Sequence, residues 1–317
     1  MIRLFLVILI LLSSFSQASV VEKYGHLKVS SGFIESESGE QVQLKGISSH
    51  GLHWFPDFYT KDALKYLRDD WGVSVVRAAM YTSEGGYLQN RSIKNKVFEV
   101  IDSSIELGLY VIVDWHILRD GNPITHVNEA KEFFREVSSK YPDTPNLIFE
   151  IANEPNGWGV GWDNQIKPYA EQVIPEIRES NPDSLIIVGT PQWSSNILAI
   201  ENNLLKDKNI SYALHFYGNH DGDSQRRNVL RLLNKKISIF VSEWGTSSTS
   251  GDGGPYIEQS KRWLDFMREN KISWVNWNFS NHRESSGAFH PWTRADPSAW
   301  SDKSLKEGAL LVKENMK

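Results

Sequence analysis

Two acidic motifs, Asn153-Glu154-Pro155 and Ser242-Glu243-Trp244-Gly245, carry the clearest chemistry in this 317-residue chain. Each follows a run that reads as a buried β-strand, Leu147–Ile151 before the first and Ile237–Val241 before the second. A carboxylate at the mouth of an apolar strand is costly, because burial penalises its charged form. Two of them in equivalent positions imply a paired-carboxylate site, the apparatus of glycosidic-bond hydrolysis.

The elements that must position these groups repeat along the chain. Strand-like runs occur at Val42–Ile47, Val73–Ala78, Leu109–Val113, Leu147–Ile151, Leu185–Val188, Tyr212–Leu214, Ile237–Val241 and Ile272–Trp277. All but the first are short and mostly apolar, as suits parallel strands covered on both faces. Helical periodicity is expected over Lys61–Trp71, Ile93–Leu107, Ala130–Ser139, Asn164–Ser180, Ser224–Asn234, Tyr256–Asn270 and Ser304–Lys317, with Ser194–Leu205 less regular. Eight strand–helix units predict an α/β chain folded as a (β/α)8 TIM barrel. A doubly wound sheet fits less well, since Gly46-Ile47-Ser48-Ser49-His50 is no phosphate loop. Leu27–Ser30 and Gly32–Glu35 alternate as a small N-terminal β-hairpin would.

Barrel chemistry sits at the carboxyl ends of strands. His50, His53 and Trp54 follow the first run, Arg77 lies inside the second, and Tyr81 follows it. Asp114-Trp115-His116 ends the third, Asn153-Glu154 the fourth, Gln192-Trp193 the fifth, and His215 and Tyr217 the sixth. Glu243-Trp244 and Trp277-Asn278 close the last two. Alone, each has a structural reading: a hydrogen-bonded histidine, a packed tryptophan, or an ion pair between Arg77 and Asp114. Their coincidence on one rim is what points to a site.

Composition limits the alternatives. A net charge of -5 argues against nucleic acid or anionic membranes as partners. Arg3, the apolar run Leu4–Leu12 and Ser16-Gln17-Ala18 predict a cleaved leader over residues 1–18, too short to anchor in a bilayer. A secreted monomer stabilised by its core alone is expected, because the chain has no cysteine. No linker tract or second binding domain is visible, and residues 19–317 read as one catalytic domain. A soluble polysaccharide should therefore be a better substrate than a crystalline one.

The motifs Leu44-Lys45-Gly46-Ile47-Ser48-Ser49-His50-Gly51, Arg77-Ala78-Ala79-Met80-Tyr81, Ile112-Val113-Asp114-Trp115-His116 and Ile151-Ala152-Asn153-Glu154-Pro155-Asn156-Gly157 resemble those of glycoside hydrolase family 5 endoglucanases. So do His215-Phe216-Tyr217, Phe240-Val241-Ser242-Glu243-Trp244-Gly245-Thr246 and Trp274-Val275-Asn276-Trp277. The resemblance implies a retaining endo-β-1,4-glucanase without cofactor or metal, with Glu154 as acid/base and Glu243 as nucleophile. It implies carboxyl groups about 5–5.5 Å apart.

By the same resemblance Arg77 and Tyr217 hold Glu243, Asn153 meets the sugar 2-hydroxyl, and His50, His116 and His215 belong to the substrate-binding set. Trp277 underlies the ring at the cleavage point, Trp54 and Tyr81 lie toward the non-reducing side, and Trp193 takes the leaving-group side. His282 and Glu284 reach distal glucose, His282 standing where such enzymes usually carry lysine. A β-mannanase, a mixed-linkage glucanase or a xyloglucanase would use the same chemistry. A catalytically dead sugar-binding barrel would be expected to lose one carboxylate, and a metal hydrolase built on His50, His53, His116 and His215 lacks a zinc signature.

Overall fold

A computed structural model describes residues 18–317 except Asp221, so the expected leader lies almost wholly outside the described residues. Among the described residues ten strands form two sheets. β1 (Lys28–Ser30) and β2 (Phe33–Glu35) make the expected antiparallel hairpin. β3 (Lys45–Ser48), β4 (Val75–Tyr81), β5 (Tyr110–His116), β6 (Leu147–Glu150), β7 (Leu185–Val188), β8 (Ile210–Tyr217), β9 (Ile239–Gly245) and β10 (Trp274–Trp277) pair in parallel and close on themselves, β10 bonding both β9 and β3. The closed sheet is the expected barrel.

The helices arise from apolar stripes. In α3 (Lys94–Leu107; α1, Val20–Tyr24, and α2, Lys61–Tyr66, precede it) the buried set Val97, Val100, Ile101 and Ser104 recurs every three or four residues. Gly108, at φ 65°, ends the helix in the left-handed region open to glycine. α4 (Val127–Lys140) buries Ala130, Phe133, Phe134 and Val137 in the same way. α5 (Lys167–Arg178), α6 (Pro191–Ser194), α7 (Asp223–Asn234), α8 (Ile257–Glu269) and α9 (Glu307–Glu314) follow β6 to β10 in turn.

Alternation along the strands sorts side chains between two layers. Val111, Val113 and Trp115 of β5 pack outward among the helices. Tyr110 and Ile112 point into the lumen, where they join Val75, Ile148, Ile187, Phe240 and hairpin residues Leu27 and Ile34. The hairpin thus seals an apolar amino-terminal half of the barrel. The carboxyl-terminal half is polar: Arg77, Asp114 and Glu150 occupy the next inward positions, all fully buried. Strands β4, β5, β8 and β9 run further than the apolar runs suggested, so Tyr81, His116, His215, Tyr217 and Glu243 lie within strands rather than after them.

Candidate active site

Glu154 lies four residues beyond the end of β6, and Glu243 lies inside β9. Strict alternation would not aim Glu243 inward, because Phe240 already faces the lumen. The β9 pairing resolves this. Ala213 and His215 of β8 oppose Phe240 and Glu243, and Trp274 and Asn276 of β10 oppose Val241 and Trp244. One extra residue sits in β9 against both neighbours, a bulge that switches the inward parity. Glu243 therefore enters the lumen while Trp244 packs among the helices, as the structural reading of that tryptophan held. Trp115 is likewise packing.

One carboxylate oxygen from each glutamate and one ring nitrogen of His215 lie within 4.8 Å of one another. Both glutamates are buried, at 8% and 4% exposure. Their surroundings differ in kind. The Tyr217 hydroxyl donates to Glu243 Oε1 at 2.7 Å and Arg77 Nη1 to Oε2 at 3.2 Å, so two donors hold its charge. Among the described residues the Glu154 carboxyl has only His215, with Nδ1 2.9 Å from Oε1, while His215 Nε2 meets Ser242 Oγ at 3.0 Å. Burial raises the Glu154 carboxyl to about 6, assisted by the charge of Glu243 and opposed by the His215 hydrogen bond. One carboxyl is poised as an acid near neutrality, and the other is clamped by donors. That division suits a proton donor and a nucleophile.

Beneath the pair, Arg77 binds three carboxylates. Its Nε donates to Glu150 Oε2 at 2.7 Å, its Nη2 lies 3.0 Å from Asp114 Oδ2, and Glu243 takes Nη1. Burial alone would disfavour the Arg77 cation, but these anions hold it protonated. The same guanidinium, with His215, outweighs burial at Glu150 and holds that carboxyl at about 2. Asp114 goes the other way: burial, with Glu150 and Glu243 nearby, raises it from its ordinary value despite Arg77. Removing one partner from such a buried pair costs about 3–5 kcal/mol, since it strands the other charge.

Arg77 holds Glu243 from below the groove. It has no exposed surface and lines neither cavity of the site. Asn153 is also fully buried. Its Oδ1 accepts from Arg77 Nη2 at 2.5 Å and its Nδ2 donates to the Ile117 carbonyl at 3.1 Å, with His116 Nε2 at 3.4 Å. His116 is fixed through Nδ1, 2.6 Å from Asp114 Oδ2. Burial, reinforced by the Arg77 charge, lowers His116 to about 3, so it is a neutral ring.

Two cavities meet at Glu154 and Tyr217, which line both. The first, about 650 Å³, gathers His50, Trp54, Tyr81, His116, Trp277, His282 and Glu284 beside Glu243. Trp277 stacks on His116 with centroids 5.2 Å apart, and Tyr81 leans on Trp54 at 4.7 Å. His282 packs against His50 with centroids 5.1 Å apart, its Nδ1 3.4 Å from Glu284 Oε2. The second, about 670 Å³, runs the other way past Trp193, His215, His220 and Gln225. His53 lies beside the first cavity, 4.3 Å from Trp54, while Trp162, in the connection after β6, is buried and donates to the Asn203 carbonyl.

Sequence reading missed Glu150, Ser242 and Ser194. Glu150 had a signal, since it interrupts an apolar strand run that should not tolerate an unpaired charge. Ser194 had none. Its Oγ donates to the Asn153 carbonyl at 2.6 Å and accepts from Thr190 N at 3.2 Å, while Trp193 N donates to the Pro155 carbonyl at 3.1 Å. These bonds depend on Gln192, Trp193 and Ser194 all adopting positive φ, 59°, 57° and 53°, which no residue type there announces.

Comparison with known proteins agrees with this geometry. The model of the cellulase family (glycosyl hydrolase family 5) matches residues 35–283. Endoglucanase A of Evansella cellulosilytica is 47% identical over 96% of this chain and 62% of its own length. Endoglucanase N of Pectobacterium atrosepticum is 45% identical over 95% of this chain and 67% of its own. The chain thus spans roughly 62–67% of these relatives. The crystal structure of the catalytic domain of a Thermobifida fusca endoglucanase superposes with a TM-score of 0.89 at 40% identity, covering 94% of this chain and 99% of that one. With the family match spanning most of the chain and both buried glutamates in one barrel mouth, this chain belongs to the cellulase family, glycosyl hydrolase family 5.

Proposed function

We propose that this protein is a retaining endo-β-1,4-glucanase that cleaves internal bonds of cellulose and soluble β-glucans. The observation that carries the reading is a groove open on both sides of a glutamate pair whose oxygens approach within 4.8 Å. A groove on both sides admits the middle of a chain, and the separation is closer to the roughly 5–5.5 Å of retaining glycosidases than to the roughly 6.5–9.5 Å of inverting ones. Relatives bearing the name endoglucanase support it, as does a solved Thermobifida fusca catalytic domain, 40% identical, in complex with cellotetraose.

Glu243 attacks the anomeric carbon while Glu154 protonates the departing glycosidic oxygen. That transfer leaves Glu154 a carboxylate, and forming the ester removes the Glu243 charge that helps raise it, so it stays ionised. It then takes a proton from the water that hydrolyses the ester. Arg77 and Tyr217 position the nucleophile, and His215 orients the acid. Trp277 and Tyr81 carry sugar rings on one side and Trp193 on the other. The protein acts as a secreted monomer after loss of a leader over residues 1–18; no helix among the described residues is long and apolar enough to cross a membrane.

Carboxymethylcellulose tests the assignment. Viscosity should fall early, ahead of reducing-end release, with little action on mannan. Brisk cleavage of mannan and none of carboxymethylcellulose would replace the glucan reading by a mannan one.

A further inference from the structure

We propose that Trp158 and Trp292 are two aromatic platforms outside the groove that hold β-glucan chains against the carboxyl-end face of the barrel. This rests on the glucanase reading above. Among the described residues four tryptophans are exposed: Trp54 at 43%, Trp158 at 104%, Trp193 at 53% and Trp292 at 76%. Scattered apolar residues on a surface are ordinary. These are not scattered, because they follow β3, β6, β7 and β10 on connections that leave the carboxyl ends of barrel strands. None lies on the ring of long helices. Trp54 and Trp193 line the groove, whereas Trp158 and Trp292 line neither of its cavities.

Each outlying ring is presented by an anchored loop. Trp158 stands four residues past Glu154 between Gly157 (φ 111°) and Gly159 (φ 75°). The base of that loop is tied down by Asn156, whose Nδ2 donates to the Leu118 and Glu154 carbonyls at 2.6 and 2.8 Å. Trp292 lies flat on His290, with centroids 4.5 Å apart and planes 4° from parallel, so one face is backed and the other is open. Asn281 Nδ2 donates to the Pro291 and Thr293 carbonyls at 3.3 and 3.0 Å, which ties this loop to the residue beside His282 of the groove lining.

A pyranose ring offers an apolar face that matches an open indole, and a polymer threaded through the groove is long enough to meet rings beyond it. Such extra contacts act through effective concentration, adding retention on a long substrate without altering chemistry on a short one.

The test separates the two. In a Glu243→Ala background, partitioning onto amorphous insoluble cellulose is measured for Trp158→Ala, Trp292→Ala and both together. In the active enzyme, the same substitutions are assayed on cellotetraose. Partitioning should fall about threefold for each ring and roughly tenfold for both, with cellotetraose turnover changed by less than about twofold. Unchanged partitioning overturns the proposal. So does an equal loss on cellotetraose, which would put the rings within the groove. Failure of the unsubstituted enzyme to cleave cellotetraose, with partitioning still lost in the variants, would overturn the glucanase reading and leave the platforms standing.

Discussion

At the scale of single residues, the site depends on an asymmetry between two similar side chains. Glu243 receives a phenol and a guanidinium, while the buried Glu154 carboxyl meets an imidazole. With Glu154 raised to about 6 by burial and by its neighbour's charge, kcat/KM should fall about tenfold per pH unit above that value as the acid loses its proton. Glu243→Gln removes the charge but keeps the shape. In that variant Glu154 should titrate below about 6, as followed by carboxyl infrared bands or carbon-labelled glutamate resonances. A value that stayed put or rose would show that the charge of Glu243 does not reach Glu154.

At the scale of elements, two local backbone devices aim the chemistry. The β9 bulge turns Glu243 inward, and the left-handed turn after β7 clamps the backbone on both sides of Glu154. Ser194→Ala leaves the Asn153 carbonyl and the Thr190 amide without their partner in a fully buried place. Denaturant unfolding should show a loss of about 1–3 kcal/mol, with a fall in kcat as Glu154 loses its support. A change within about 0.5 kcal/mol, usual for surface positions, would count against the clamp. Both devices also mark where reading the sequence stops. The lumen-sealing apolar runs and the stripes of α3 and α4 were legible because burial imposes a period. Most of the rim was legible because barrel chemistry gathers at strand ends. The bulge was not, since Phe240, Ser242 and Trp244 satisfy a period of two that the backbone breaks. Nor was the turn, whose left-handed residues carry ordinary side chains. Glu150 could have been found by asking what neutralises a carboxylate inside a strand; the answer, Arg77, lies on another strand.

At the scale of the molecule, the polar half of the barrel couples stability to pH. Burial holds His50 and His116 at about 3 against 6.5 in an unfolded chain, helped by His282 at the first and Arg77 at the second. Below 6.5 the unfolded chain therefore binds protons that the fold refuses, and these two sites lose stability as pH falls. Glu150, held at about 2 against 4.5, contributes fully above 4.5 and loses its contribution as pH falls toward 2. His215 acts in the opposite sense. Glu150 and Glu154 outweigh its burial and raise it to about 9, so its contribution is complete below 6.5 and lost as pH rises through 9. Asp114 and Glu154, both raised, also lose stability on the alkaline side of their unfolded values and oppose the histidines between about 4.5 and 6.5. The melting temperature should be broadly flat between about 4.5 and 6.5 and fall on either side. A steady rise through pH 9 would contradict the buried His215–carboxylate pairing.

The most direct test of the paired glutamates is the anomeric configuration of the first product. Proton resonances of the reducing-end sugar, recorded in the opening minutes of cellotetraose hydrolysis, distinguish the two anomers before mutarotation mixes them. Two displacements through an ester on Glu243 require the β anomer to appear first, with the α form growing in later. The α anomer appearing first would mean a single displacement by water, and Glu243 could not then be the nucleophile.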